Sequence, residues 1–264
     1  MGEYVAIGTV QMETRGPVPE GAVELARDRV TALLRLSKEP VLSARIKLTV
    51  RAEQGRTRLA MAQANLDVDG RPVRAQAIAE TMWRAVNELR DRLLIRLARV
   101  SRDWPVRRGG RPLTSPREWR PSGVPGRRPP ELAPPDGDRY VVRHKVIKPF
   151  LETPLEAALD MELLDYDFYL FVDAVTGEDC VIDRSGSRYR VVRQLPAPEE
   201  IRGNGGPVLV DDEPAPVLTP AQALGRLTEE NLAYVFFSDP ETHGSRIVYR
   251  RYDGHYGVIT ACPR

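Results

Sequence analysis

Arg92, Arg96 and Arg99 stand at positions i, i+4 and i+7 of a stretch whose apolar residues recur at helical spacing. On a rigid helix such a row lines up planar guanidinium groups, each able to grip a phosphate through two parallel hydrogen bonds. Arg29, on a second helical stretch, is available to the same surface. The chemistry suggested is non-covalent capture of a nucleic-acid backbone. The competing reading is a solvated helix face, partly neutralised by Glu88 and Asp91. Arg102, Arg107 and Arg108 extend the basic character, followed by Arg111, Arg117, Arg120, Arg127 and Arg128 interleaved with Trp104 and Trp119. Arginine with occasional tryptophan in a flexible segment suits single-stranded or folded RNA, by charge and stacking. A merely soluble spacer is the alternative.

No set of residues suggests catalysis. There is no Ser-His-Asp spacing, phosphate loop or carboxylate pair in an apolar pocket, and His144, His243 and His255 are scattered. Two cysteines, Cys180 and Cys262, are too few for a disulfide framework or a zinc site. Cys180 falls within a strand pattern and reads as a small buried hydrophobe, while Asp173 and Asp239 end strands and read as turn caps. The expectation is a protein that is not an enzyme and needs no metal or cofactor. No apolar run approaches the roughly eighteen residues of a membrane span. The start MGEYVAIGTVQMETR lacks a basic segment followed by an apolar one, so a cytoplasmic location without membrane contact is expected.

The net charge of +2 conceals segregation. Residues 1–100 hold 17 basic and 12 acidic side chains, residues 101–150 hold 12 and 5, and residues 151–264 hold 10 and 20. A basic front and an acidic rear suit a front that meets a polyanion. Because 35 of the 39 cations are arginine, a GC-rich genome explains part of the total, but not the segregation.

The elements that must position these residues follow from periodicity. Residues 44–51 alternate, with Ala44, Ile46, Leu48 and Val50 opposite Arg45, Lys47, Thr49 and Arg51. Residues 58–68 alternate again, and Asp69-Gly70 turns the chain into a further strand at 72–76. Helical spacing appears at 19–36 (Ala22, Ala26, Val30, Leu33) and at 78–100 (Met82, Val86, Leu89, Leu93, Leu97, Val100). The order β-α-β-β-β-α results, with helices covering one face of a sheet. Residues 101–139 contain nine prolines, nine arginines and five glycines and read as a disordered basic linker.

Near its end the chain repeats itself. TPLEAALDMELLDYDFYLFVD at 153–173 returns as TPAQALGRLTEENLAYVFFSD at 219–239, without a gap. Thr153 and Thr219 are good helix caps, followed by Pro154 and Pro220 at the first helical position. Each copy reads as a lead strand, a helix and two or three further strands, over 140–193 and 207–264, joined by a short linker at 194–206. Units this small need a partner to bury their apolar face. Both carry a continuous apolar strand, and Phe168, Phe171, Val235 and Phe237 are the residues expected to pair the copies within one chain. The fold class is α+β: an N-terminal domain at 1–100, the linker, and two tandem α+β repeats forming an intramolecular pseudo-dimer.

RHKVIKPF at 143–150, with the TPLEAALDMELLDYDFYLFVDAVTG that follows it, resembles the C-terminal domain of long-form ribosome hibernation promoting factors. The family's YRR-x-DG-x-YG-x-I hairpin is degraded in the first copy, DRSGSRYRVV, and intact in the second, YRRYDGHYGVI at 249–259. ARDRV at 26–30 and MWRAVNELRDRL at 82–93 are similar to the helices of the family's ribosome-binding domain. Ile78 departs from it, standing where many relatives have a basic residue. The resemblance implies a cytoplasmic factor that binds the mRNA and tRNA region of the small subunit and inhibits translation. It puts Arg29, Arg92, Arg96 and Arg99 on the surface for 16S-type rRNA, with Arg102, Arg107 and Arg108 continuing it. Pairing within the chain then gives a monomer that holds idle ribosomes as inactive single particles. The acidic repeats are available to ribosomal proteins. The alternative is a dimerising protein whose repeats pair with those of a second molecule and join ribosomes in twos. A transcriptional modulator, the third reading, lacks a DNA-reading helix.

Overall fold

Alternating apolar residues between 41 and 79 build an antiparallel meander whose one face is almost wholly alanine, valine, leucine and isoleucine. The computed structural model describes residues 7–51, 59–107, 139–196, 207–251 and 254–262. The chain divides into two compact units, one of Met1–Thr114 with Glu162–Tyr166, the other of Ser115–Met161 with Asp167–Arg264. Each is described in turn.

The first unit runs β1 (Ile7–Arg15), α1 (Glu20–Leu36), β2 (Val41–Arg51), β3 (Leu59–Val68), β4 (Arg71–Ala79) and α2 (Met82–Arg107). This is the expected β-α-β-β-β-α order. The sheet order is β1-β2-β3-β4, with β1 parallel to β2 and the other pairs antiparallel. Asp69 and Gly70 have φ of 51° and 81°, the left-handed pair that a tight two-residue hairpin requires. Ala44, Ile46 and Leu48 of β2 and Ala60, Ala62, Ala64 and Leu66 of β3 are buried, as are Ala22, Ala26 and Val30 of α1 and Leu89 and Leu93 of α2. The small alanines let two helices lie close to the strands. Residue 78, expected to begin the second helix, lies in β4 instead, and α2 starts at Met82. At its other end α2 runs on to Arg107, past the expected boundary at residue 100. Between Val100 and Trp104 no glycine or proline is present to stop it. The linkers expected at 101–139 and 194–206 otherwise fall largely outside the described residues.

The second unit holds β5 (Val141–Ile147), β6 (Leu151–Glu152), α3 (Pro154–Leu163) up to Met161, β7 (Phe168–Asp173), β8 (Asp179–Ser185) and β9 (Arg188–Arg193). It continues with β10 (Val208–Val210), α4 (Pro220–Glu229), β11 (Tyr234–Ser238), β12 (Ser245–Arg250) and β13 (Tyr256–Ala261). The two helices begin alike. Thr153 Oγ1 accepts the Glu156 amide at 3.4 Å while Glu156 takes the Thr153 amide at 3.0 Å, and Thr219 and Gln222 do the same at 3.3 and 2.9 Å.

The sheets are not divided as the copies are. One has the order β10-β9-β8-β7-β6 and the other β11-β12-β13-β5. The lead strand of the first copy, β5, pairs with β13 of the second, and the second copy's β10 pairs with β9 of the first, both parallel. The expectation that each copy keeps its own lead strand is therefore corrected: the strands are exchanged. A lead strand meets no helix of its own before the chain turns, so nothing local ties it to its copy. Leu170, Val181, Ala215, Phe236, Ile247 and Ala261 form one buried cluster drawn from both sheets. Gly257 is required here, since a Cβ would lie 2.4 Å from the Tyr249 ring that borders this cluster.

Because that cluster is shared, damage on one side should be felt on the other. Phe236→Ala is expected to lower the stability of the unit by about 3–5 kcal/mol. It should also speed amide hydrogen exchange in β7 and β8. Faster exchange confined to β11, β12 and β13 would mean that the copies fold independently.

Candidate nucleic-acid interface

Burial along α2 follows the heptad-like stripe read from the sequence: Met82, Val86, Leu89, Leu93, Leu97 and Val100 are all buried. This fixes the arginine row on the flank of the stripe, and the row is not solvent-facing. The Arg92, Arg96 and Arg99 side chains are 16%, 3% and 12% exposed. Arg96 Nη2 donates to Asp165 Oδ1, Arg92 Nη1 reaches the same oxygen at 3.4 Å, and Arg99 Nη1 donates to Glu162 Oε2 at 2.5 Å. Arg96 Nη1 also donates to the Arg92 carbonyl at 3.0 Å, which locks its fork. Asp165 Oδ2 accepts the backbone amide of Gln76 in β4 at 2.9 Å. The Arg74 guanidinium lies 5.5 Å from the centre of the Tyr166 ring and donates to Gln76 Oε1 at 2.7 Å.

The arrangement is a row of three guanidinium groups holding two carboxylates of the same unit, each through a single nitrogen. Sequence spacing located the arginines but not their partners, which lie more than sixty residues away. Arg29 is exposed on α1. Arg102 and Arg107 fall in the last turns of α2, and Arg108 lies outside the described residues.

In the second unit the period of two along β7 and β11 decides which apolar residues meet. Phe168 borders the shared cluster, its ring 4.5 Å from that of Tyr234 and 5.7 Å from that of Tyr249, centre to centre. Val235 and Phe237 face the other way, into a cluster with Ala223 and Leu227 of α4. Phe171, fully buried, alternates with Leu170 and so points away from the shared cluster. Of the four residues expected to pair the copies, the structure brings Phe168 alone to the cluster shared by both sheets. Leu170, Tyr234 and Phe236 are the residues that the sequence reading missed. A fully apolar run hides its own alternation.

A polar contact also joins the copies. Tyr234 Oη donates to Asp183 Oδ2 at 2.5 Å, and Arg190 grips Asp183 through Nη2 at 2.6 Å and Nε at 3.3 Å. Burial pushes the Tyr234 phenol well above its ordinary pKa, and the Asp183 carboxylate adds to this, so it remains a donor. The opposition of Asp183 and Arg190 across the hairpin is the signal that could have found this pair.

The strand-end aspartates act as read. Asp173 Oδ1 accepts the Val175 amide at 2.9 Å, and Asp239 Oδ1 accepts the Glu241 and Thr242 amides at 3.0 Å each. The Thr242 amide is the main reason that the Asp239 carboxyl is held below its usual range. Asp173 also pairs at 2.8 Å with Arg193, which is almost completely buried. Among the described residues no cluster of histidine, cysteine and carboxylate could hold a metal ion, and no helix is long and apolar enough to cross a membrane.

Residues 136–191 match the family described as "Sigma 54 modulation/S30EA ribosomal protein C terminus". Over 229 residues the chain is 35% identical to a dormancy associated translation inhibitor in each of two strains of Mycobacterium tuberculosis, a match covering 82% of this chain and 76% of the relative. A solved ribosomal subunit interface protein from Coxiella burnetii is 18% identical, with a TM-score of 0.30, over 35% of this chain and 97% of that one.

The two cysteines should separate in a thiol assay. Burial pushes the Cys180 thiol up to about 12, leaving it without thiolate near neutrality, whereas Cys262 is exposed. A disulfide reagent is expected to titrate one thiol per native chain and two after unfolding. Two fast-reacting thiols in the native protein would contradict the buried position of Cys180.

Proposed function

The chain belongs to the ribosome hibernation promoting factor family, and on that premise we propose that its first unit binds the rRNA of the small ribosomal subunit in the decoding region. Bound there it inhibits translation and keeps idle ribosomes as inactive single particles in the cytoplasm. The family is non-enzymatic, and the mechanism we infer is steric and electrostatic. A basic protein surface takes the space that messenger RNA and tRNA need and holds it through phosphate contacts, releasing counterions as it does so. Arg29, Arg92, Arg96 and Arg99 are the residues assigned to that surface, with Arg102, Arg107 and Arg108 continuing it. The acidic second unit is left to ribosomal proteins.

The observation that carries the single-particle reading is the strand exchange. Each copy completes the other's sheet through β5 and β10, and both contribute to one buried cluster. The surface that would recruit a second chain is thereby used within the first. A short connection keeps the copies at an effective concentration in the ~mM range, above that of any second molecule at ordinary cellular levels.

Sucrose gradients of ribosomes with added full-length protein are expected to show single particles and a loss of translation. Paired ribosomes, or a stable full-length dimer in light scattering, would favour the dimerising reading. Truncation after Gln194 removes β13, the partner of β5, and should turn a monomer into a dimer or an aggregate. For the rRNA surface, Arg29, Arg92 and Arg99 changed together to alanine should weaken binding to small subunits. The log–log salt slope should become shallower by about one for each phosphate that the variant no longer neutralises. An unchanged affinity and slope would remove these residues from the interface. Arg96 is left in place because Asp165 is buried beside it, and stripping a buried carboxylate of its partner costs about 3–5 kcal/mol; a melting curve of the variant checks that losing Arg99 beside the equally buried Glu162 has not unfolded it.

A further inference from the structure

Glu162 and Asp165 do to the α2 arginines what phosphates would do: each offers them an anionic oxygen in a site of low exposure, Asp165 Oδ1 to Arg92 and Arg96 and Glu162 Oε2 to Arg99. The duplication provides a comparison within the same chain. Asp165 and its counterpart Asn231 have the same left-handed backbone, with φ of 54° and 51°. Each donates its amide at 3.3 Å to the carbonyl of the residue three before it, Glu162 in one copy and Thr228 in the other. The turn therefore forms equally well around asparagine, a residue at ease in this conformation. In the second copy the two positions are served locally: Asn231 Oδ1 accepts from Arg250 at 2.7 Å, and Thr228 Oγ1 donates to the Leu224 carbonyl at 3.0 Å. The fold of a copy does not call for a carboxylate at either place. In the first copy both places carry one, and both point at arginines of α2.

We propose that Glu162 and Asp165 form a displaceable clasp, holding Arg92, Arg96 and Arg99 in the free protein and giving them up to the phosphates of RNA. The proposal rests on the reading that this row binds rRNA, and it adds how that binding is regulated. Arg92, Arg96 and Arg99 set three positive charges against the two carboxylates, so the clasped site still attracts a polyanion. A ligand bearing one or two charges gains no more from the forks than the carboxylates already do. A backbone presenting several phosphates at once, with counterions to release, gains more. The clasp therefore raises the threshold in favour of folded rRNA and against small anions and short acidic peptides.

The test uses the full chain and purified small subunits at fixed salt. Asp165→Asn with Glu162→Gln keeps the turn, as the second copy demonstrates at position 231, and removes both charges. Affinity is expected to tighten by about tenfold, the factor recovered when a competent state populated at about one-tenth becomes the main one. Equal or weaker affinity would overturn the clasp. Weakened binding by the Arg29, Arg92 and Arg99 alanine variant in the same experiment would show that the rRNA reading still stands, whereas subunits that bind neither wild type nor variant would remove that reading and the clasp with it. A second measurement needs no substitution. The Gln76 amide, bonded to Asp165 at 2.9 Å, should exchange its hydrogen faster when subunits saturate the wild-type protein. Unchanged or slower exchange there sinks the proposal even where the double variant proves unstable.

Discussion

In the second unit the backbone of β5 hydrogen-bonds to β13 and that of β10 to β9, so each copy of a duplicated segment finishes the sheet of the other. The need behind this is simple. A β-α-β unit of some fifty residues has one sheet face covered by its own helix and another face with nothing to cover it. Here the uncovered faces supply Leu170 and Val181 from one sheet and Phe236 and Ile247 from the other to a single cluster. The backbone exchange and the side-chain cluster enforce each other: separating the sheets would expose the cluster and strip two lead strands of their partners. The Tyr234–Asp183–Arg190 contact adds direction to what is otherwise apolar adhesion.

Much of the architecture was legible in the residues. Alternation through Ala44–Ile46–Leu48 and the Asp69-Gly70 turn gave the meander, and the stripe from Met82 to Val100 gave the long helix with the correct face inward. The two Thr-Pro starts gave α3 and α4. These are local signals, carried by neighbours in sequence. What could not be read was non-local. Nothing in RHKVI states which sheet it will join, and nothing in the spacing of Arg92, Arg96 and Arg99 states that Glu162 and Asp165 will meet them. The choice of Phe171, Val235 and Phe237 as pairing residues failed for a related reason: in a strand buried on both faces, each residue looks equally apolar, and only the register decides which way it points.

Divergence of the copies follows a physical logic. Where the backbone imposes a condition, both satisfy it. Threonine caps both helices, aspartate closes both strand ends, and Gly177 and His243 occupy the same left-handed turn position. Where the backbone is indifferent, chemistry has separated. The helix-end turn is acidic in the first copy and neutral in the second, and the lead strand is basic in the first and apolar in the second.

The pairing of β5 with β13 also sets the order in which the molecule can be completed. Val141 finds its partner at Tyr256, about 115 residues later. At synthesis rates of roughly 5–20 residues per second, a finished β5 waits on the order of ten seconds for the strand it must join. Contacts so distant in sequence carry a large loop-closure cost and slow the search. During that interval the first copy is an open edge, able to pair with the wrong chain. Arg143 and Lys145 sit on that waiting strand, and like charges on an unpaired edge disfavour its completion by a neighbouring nascent chain.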